Sequence, residues 1–278
     1  MRWTKRAAAL LAALLVLLTA AAAEGGFKAL PREPGTPPGG RLASPWEAEE
    51  AAKLPELTVL NPEAAPGPEG VSAAEGPSFP EAEEWQLLLV NPWNELPEDF
   101  EAALKALPDG QKVDERIYED LNAMLQACRE AGLRPKICSA YRTQAKQTYL
   151  YNNKVARLRS AGYSRDAAQE EAARWVARPG TSEHQLGLAL DIVSQSYQAL
   201  TKKQEKTAEQ KWLMEHCWEY GFILRYPSDK SEITGIGYEP WHYRYVGRDV
   251  ALDVRESGLC FEEYLLLREE ALAAEKTA

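Results

Sequence analysis

Eleven of the 18 prolines and eight of the 18 glycines fall within residues 24–85. Proline has no backbone N–H to give, and glycine loses the most freedom on ordering. Glu and Ala fill much of the remainder, so the stretch cannot bury enough apolar surface to offset its ordering entropy. It is expected to be a disordered spacer, with ends about 45 Å apart as a random coil. The folded domain must then come from residues 86–278.

The charge is distributed in the same three blocks. Residues 1–23 carry Arg2, Lys5 and Arg6 and no acid, giving +3; residues 24–85 hold 12 acidic and four basic residues, giving −8; the total of −10 leaves −5 for the rest. A mildly acidic domain with no long Lys/Arg run argues against a nucleic-acid binder. The basic start precedes an apolar run from Ala7 to Ala23, and Ala21-Ala22-Ala23 before Glu24 fits a small-x-small cleavage site. The run fits a cleaved signal peptide, and also a short uncleaved membrane anchor. Both place the domain outside the cytoplasm, secreted or held at the cell envelope. Cys128, Cys138, Cys217 and Cys260 would then face an oxidising space. Sequence does not choose among three pairings, or between disulfides and buried thiols.

Within 86–278 the pattern is mixed. Residues 87–90 form a short apolar run closed by Asn91-Pro92, which predicts a strand and a turn. Ile117, Leu121, Met124, Leu125 and Cys128 recur at helical spacing, so a helix is expected over 114–132. Strands are expected at 136–141, 188–193, 222–226 and 243–246, and helices at 143–160, 165–177, 207–220 and 262–275. There is no regular strand–helix–strand rhythm, so the fold class is α+β.

Of the three histidines, two sit in the least generic stretches. The first runs from Ser182 to Asp191 and contains His184 and Gly187. Gly187 suggests a turn into a strand, on which Leu188, Leu190 and Ile192 face one way and Ala189, Asp191 and Val193 the other. Asp191 is then a carboxylate in an apolar strand, and needs a cation or strong donors. The second stretch is Glu239-Pro240-Trp241-His242. A catalytic zinc takes three protein ligands and keeps one position open, and His184, Asp191 and His242 would supply them. Glu239, three residues before His242, would remain as a base that is not a ligand. His216 lies in a helix without a carboxylate at ligand spacing and is expected to be structural. In a third stretch, Ser139 to Gln147, Arg142 lies where a strand passes into a helix. Its guanidinium suits a carboxylate or an oxyanion.

Together these stretches resemble the VanY-type D-alanyl-D-alanine carboxypeptidase family, a branch of the zinc D,D-peptidases. The family pattern is Ser-x-His-x-x-Gly-x-Ala-x-Asp, Glu-x-x-His, and Tyr-Arg with Gln five residues after the Arg. It is matched by Ser182 to Asp191, by Glu239 with His242, and by Tyr141-Arg142 with Gln147. The resemblance covers residues 86–270. It implies one zinc per chain held by His184, Asp191 and His242, with Glu239 as general base. It implies that Arg142 and Gln147 face the substrate or the developing oxyanion, that Tyr141 is at the substrate, and that Ser182 binds the terminal carboxylate. It also implies a small antiparallel sheet flanked by helices. The substrate would be a peptidoglycan stem peptide cut before its last D-alanine, and a monomer is expected.

Three other readings share some of these features. An L,D-carboxypeptidase or an endopeptidase on the same stems would keep the motifs. A non-catalytic zinc-stabilised wall-binding module would need the ligands but not Glu239. A serine peptidase is disfavoured because no Ser-x-x-Lys is present: Ser139 is followed three later by Arg142.

Overall fold

The structure is a computed structural model that describes residues 79–277. The leader and most of the spacer lie outside the described residues. Contacts to the domain begin ahead of residue 86: the Phe79 ring meets Tyr264 edge-on at 5.4 Å, and Trp85 stacks on Tyr245 at 5.9 Å.

The first element is one helical turn, α1 (Glu84–Leu87). The strand expected at 87–90 does not form. Arg244 donates to the Gln86 and Leu88 carbonyls, so the backbone that would feed a sheet feeds a guanidinium instead. The turn after it does form, with Asn91 Oδ1 accepting from the backbone amides of Trp93 and Asn94. A hairpin of β1 (Leu104–Ala106) and β2 (Lys112–Asp114) follows. A 3-10 turn capped by the Asp114 side chain leads into α2 (Tyr118–Glu130). Leu121, Met124, Leu125 and Cys128 of α2 are buried at the expected spacing.

The main sheet has four antiparallel strands in the order β3-β4-β6-β5. They are β3 (Pro135–Ser139), β4 (Ala189–Ser194), β5 (Phe222–Leu224) and β6 (His242–Tyr245). Between β3 and β4 run α3 (Gln144–Ser160), capped by Thr143, and α4 (Arg165–Ala173), capped by Ser164. Between β4 and β5 lies α5 (Ala208–His216), with the rest of the expected 207–220 helix turned into a 3-10 segment that ends at Gly221. The short α6 (Ser231–Thr234) precedes β6, and α7 (Arg248–Ser257) and α8 (Phe261–Thr277) close the chain. The sequence pattern had not indicated α7. The expected α+β class, a small antiparallel sheet with flanking helices, is the fold observed.

Strand β4 is buried along its whole length. Leu190 and Ile192 join Leu121, Met124 and Tyr243 in the apolar core, as the alternation predicts. The odd-numbered side chains therefore face the opposite side of the sheet. All four cysteines are free thiols; Cys128, Cys217 and Cys260 are buried and Cys138 is exposed. Among the described residues no helix is long and apolar enough to cross a membrane.

Candidate active site

The sheet register assembles the site. Ser139 on β3 pairs with Asp191 on β4, and Asp191 pairs with His242 on β6, so one row across three strands carries all three. His184 reaches the same row from a 3-10 turn, Glu183–Leu186, which ends on Gly187 at φ +76°. That glycine is required twice over. Its backbone is left-handed, and a Cβ there would stand 2.8 Å from the Asp114 amide. Glu239 arrives by a turn in which the His242 amide donates to the Glu239 carbonyl at 3.1 Å.

His184, Asp191 and His242 are all buried, with one potential ligand atom each lying within 4.8 Å of the others. Asp191 Oδ1 lies 3.3 Å from His184 Nε2 and 3.1 Å from His242 Nδ1. The other ring nitrogens set the tautomers. His184 Nδ1 is 2.8 Å from the Ala140 carbonyl, which can only accept, so Nδ1 carries the hydrogen and Nε2 is left bare toward Asp191. His242 Nε2 is buried with no hydrogen-bond partner, and the equally unpartnered Glu183 Oε2 faces it at 3.6 Å. A metal at Nδ1 would replace the hydrogen that Nδ1 turns toward Asp191 Oδ1 at 3.1 Å, and the His242 hydrogen would then sit on Nε2 facing Glu183. Two neutral imidazoles and a carboxylate oxygen, each turned inward, fit a divalent metal of the zinc type.

The charge balance agrees. Burial raises the Asp191 carboxyl, but His184, Arg142 and hydrogen bonds hold it well below the usual range. Burial and the nearby Arg142 lower the His184 imidazole to about 4. Burial alone would lower His242, but Asp191 and Glu183 together raise it to about 9. Without a metal, a proton on His242 supplies the positive charge that these carboxylates demand. Burial, with Asp191 beside it, pushes Glu239 up to about 8. A cation among the three ligands would draw Glu239 back toward its ionised form.

Arg142 binds three of its neighbours. Nε donates to Ser139 Oγ at 2.7 Å, Nη2 to Asp191 Oδ2 at 2.5 Å and Nη1 to Gln147 Oε1 at 3.5 Å. A guanidinium has five N–H groups, so two remain for the cavity that it lines. Asp191 is thereby divided: Oδ2 serves Arg142 and Oδ1 faces the histidines. Ser182 lines the cavity as well, and its hydroxyl takes no protein partner among the described residues.

Two residues expected at the substrate stand elsewhere. Gln147 is fully buried, donating to the Ala177 carbonyl at 2.7 Å and accepting from Arg142, so it holds Arg142 from behind. Tyr141 does not line the cavity; its amide donates to Lys112 O and ties the segment after β3 to the hairpin. The cavity holds about 440 Å³, with His184, Asp191, His242 and Glu239 among its lining residues. The Tyr226 ring lies 4.8 Å from that of His242. His216 pairs with Glu219 at 2.7 Å, away from the cavity.

The sequence reading also missed an ionic network beneath the site. Glu183 Oε1 accepts from Arg225 at 2.7 Å and from Arg244 at 3.0 Å, and Arg225 grips Glu262 of α8 with two further bonds of 2.8 and 2.6 Å. Burial opposes the Glu183 charge, but the two arginines keep the carboxyl far below its usual range. Glu183→Ala would leave both guanidinium groups without that partner. It is expected to cost about 3–5 kcal/mol, the scale for breaking a buried ion pair. Denaturant unfolding of the zinc-free variant measures this, and a loss under about 1 kcal/mol would show the network to be dispensable.

Two inward-facing imidazoles, a carboxylate and a neighbouring acid that is not a ligand define a metallohydrolase of the peptidase class. The profile of the D-alanyl-D-alanine carboxypeptidase family, VanY, matches residues 110–248. The D-alanyl-D-alanine carboxypeptidase of Enterococcus faecalis is 41% identical over 228 residues, which cover 82% of this chain and 83% of that protein. The solved structure of VanYB in complex with D-alanine-D-alanine shares 44% identity at a TM-score of 0.61, covering 65% of this chain and 97% of that one. A vancomycin-resistance D,D-pentapeptidase VanY variant in complex with Zn(II) shares 44% identity at a TM-score of 0.60, covering 65% and 99%. The chain belongs to the VanY family of D-alanyl-D-alanine carboxypeptidases.

Proposed function

We propose that this protein is a zinc-dependent D,D-carboxypeptidase that removes the terminal D-alanine from peptidoglycan stem peptides. The observation that carries this is the convergence of His184, Asp191 and His242 beside Glu239 on one cavity wall. Those three residues would hold the zinc. When bound, zinc supplies Lewis acidity and lowers the pKa of water at its open position.

The protein's own residues do the rest. The Glu239 carboxylate takes the proton of the attacking water and passes it to the departing amine. The two free N–H groups of Arg142 face the oxygen on which negative charge develops. The Ser182 hydroxyl donates to the terminal carboxylate of the substrate. Gln147 and Ser139 fix the Arg142 plane, and the Tyr226 and Trp241 side chains shield the reacting groups from water. The apolar leader-like run at residues 7–23 supports an extracytoplasmic site of action, with the N-terminal segment cleaved or kept as an anchor.

The test is product identification by mass spectrometry after incubating the protein with tri-, tetra- and pentapeptide stems. Release of one D-alanine from the pentapeptide acid is expected. Amidating the terminal D-alanine should abolish cleavage, because the amide removes the charge that the pocket grips. An amidated stem cut as fast as the acid would make the enzyme an endopeptidase. Release from the tetrapeptide alone would make it an L,D-carboxypeptidase.

A further inference from the structure

The cavity is longer than the reaction requires, and one of its walls is cationic. Lys146, Leu150, Asn153, Lys154 and Arg157 of α3 all line it. Their spacing of four, three, one and three places them on one face of the helix. Three of the five are cations in a chain of net charge −10. None of the three has an ion-pair partner among the described residues. Lys146 and Lys154 lie only over aromatic rings, Tyr149 at 5.5 Å and Trp175 at 6.0 Å. Unneutralised cations along a cleft raise the local concentration of anions.

The direction of the stripe identifies which part of a substrate it meets. Arg142, bonded to Asp191, stands just before the N-terminus of α3, so the metal site lies at that end. From Gln144 to Arg157 the helix rises about 20 Å. A carboxypeptidase releases one residue, which spans about 3.5 Å at most. The leaving residue therefore cannot extend along the stripe to Lys154 and Arg157. A chain several residues long on the acyl side of the cut can.

We infer that the Lys146–Lys154–Arg157 face of α3 is an acyl-side subsite that selects peptides bearing a free carboxylate two or more residues before the scissile bond. This rests on the carboxypeptidase reading and narrows it to anionic peptides.

The probes are two pentapeptides ending in D-Ala-D-Ala, N-acetylated and identical except that the second residue, a γ-linked D-Glu, carries either a free α-carboxylate or the isosteric carboxamide. The full-length zinc enzyme is expected to favour the acid in kcat/KM by about fivefold or more, the product of two exposed ion pairs. The preference should shrink as salt is raised. In the Lys154→Glu/Arg157→Glu double variant the ratio of the two peptides should fall below one. In Lys154→Gln/Arg157→Gln it should approach one. Because the readout is a ratio within one preparation, partial loss of active protein does not affect it. A wild-type ratio near one, or a wild-type ratio retained in either double variant, overturns the subsite. Failure to release D-alanine from either peptide overturns the underlying carboxypeptidase reading instead.

Discussion

Asp191→Ala is expected to abolish zinc binding and hydrolysis together. Asp191 is the only carboxylate in the three-residue cluster, and its Oδ1 lies within 3.3 Å of both imidazoles. Removing it takes away a ligand and the negative charge that balances a divalent ion. It also strips Arg142 of the partner held at 2.5 Å, leaving a guanidinium aimed at the metal position. Groups that only orient ligands are commonly worth 10–100-fold in metal affinity, so loss of an anionic ligand should exceed about 100-fold. Metal analysis after dialysis against a competing chelator measures it. The wild type should retain about one zinc per chain, and activity lost in excess chelator should return with added zinc. An Asp191→Ala protein that keeps its zinc under the same dialysis would dismiss the cluster as the metal site.

What made Asp191 legible in the sequence was conflict. A carboxylate at the centre of an apolar strand needs a counter-charge, and the alternation around it showed which face it occupies. The same reasoning applied to Arg225 after Phe222-Ile223-Leu224, and to Arg244 between Tyr243 and Tyr245, would have exposed the buried network. Both are fully buried, and Glu183, which they bind, stands between Ser182 and His184. The β1–β2 hairpin had a signal too, since Pro108-Asp109-Gly110 is turn chemistry and Asp109 Oδ1 accepts from the Gln111 amide. Its strands are three residues each and not apolar, so periodicity could not reveal them. Helix α7 buries Val250, Ala251 and Val254 at helical spacing, but it spans only ten residues between Gly247 and Gly258, shorter than the window in which such a period stands out. The run at 87–90 misled for the opposite reason: it is apolar enough for a strand, but Arg244, distant in sequence, binds the Leu88 carbonyl and that of Gln86 just before the run. Gln147 stands where the family pattern places it, but its orientation depends on Ala177, which no spacing rule connects to it.

Glu239→Gln should leave zinc in place and slow turnover by about 100-fold or more, the usual range for losing a general base. Glu239 is nearly buried, lines the cavity and lies outside the ligand cluster. Its Oε2 stands 3.6 Å from His242 Nδ1, beyond hydrogen-bond range, and among the described residues no hydrogen bond holds the carboxylate. The amide has the same size and can still accept a hydrogen bond, but it cannot carry a proton from water to the leaving amine. Binding should change little, because the carboxylate acts on water and is not needed to grip the peptide. The fall should therefore appear in kcat with KM close to the wild-type value. The neutral amide also matches the uncharged form that burial and Asp191 favour in the metal-free site, so the fold should stay intact. Steady-state kinetics on the pentapeptide acid, with zinc quantified in the same samples, separates the possibilities. Zinc lost along with activity would make Glu239 a ligand. Turnover within tenfold of wild type, with zinc intact, would remove Glu239 from the mechanism and leave proton transfer to another group in the cavity.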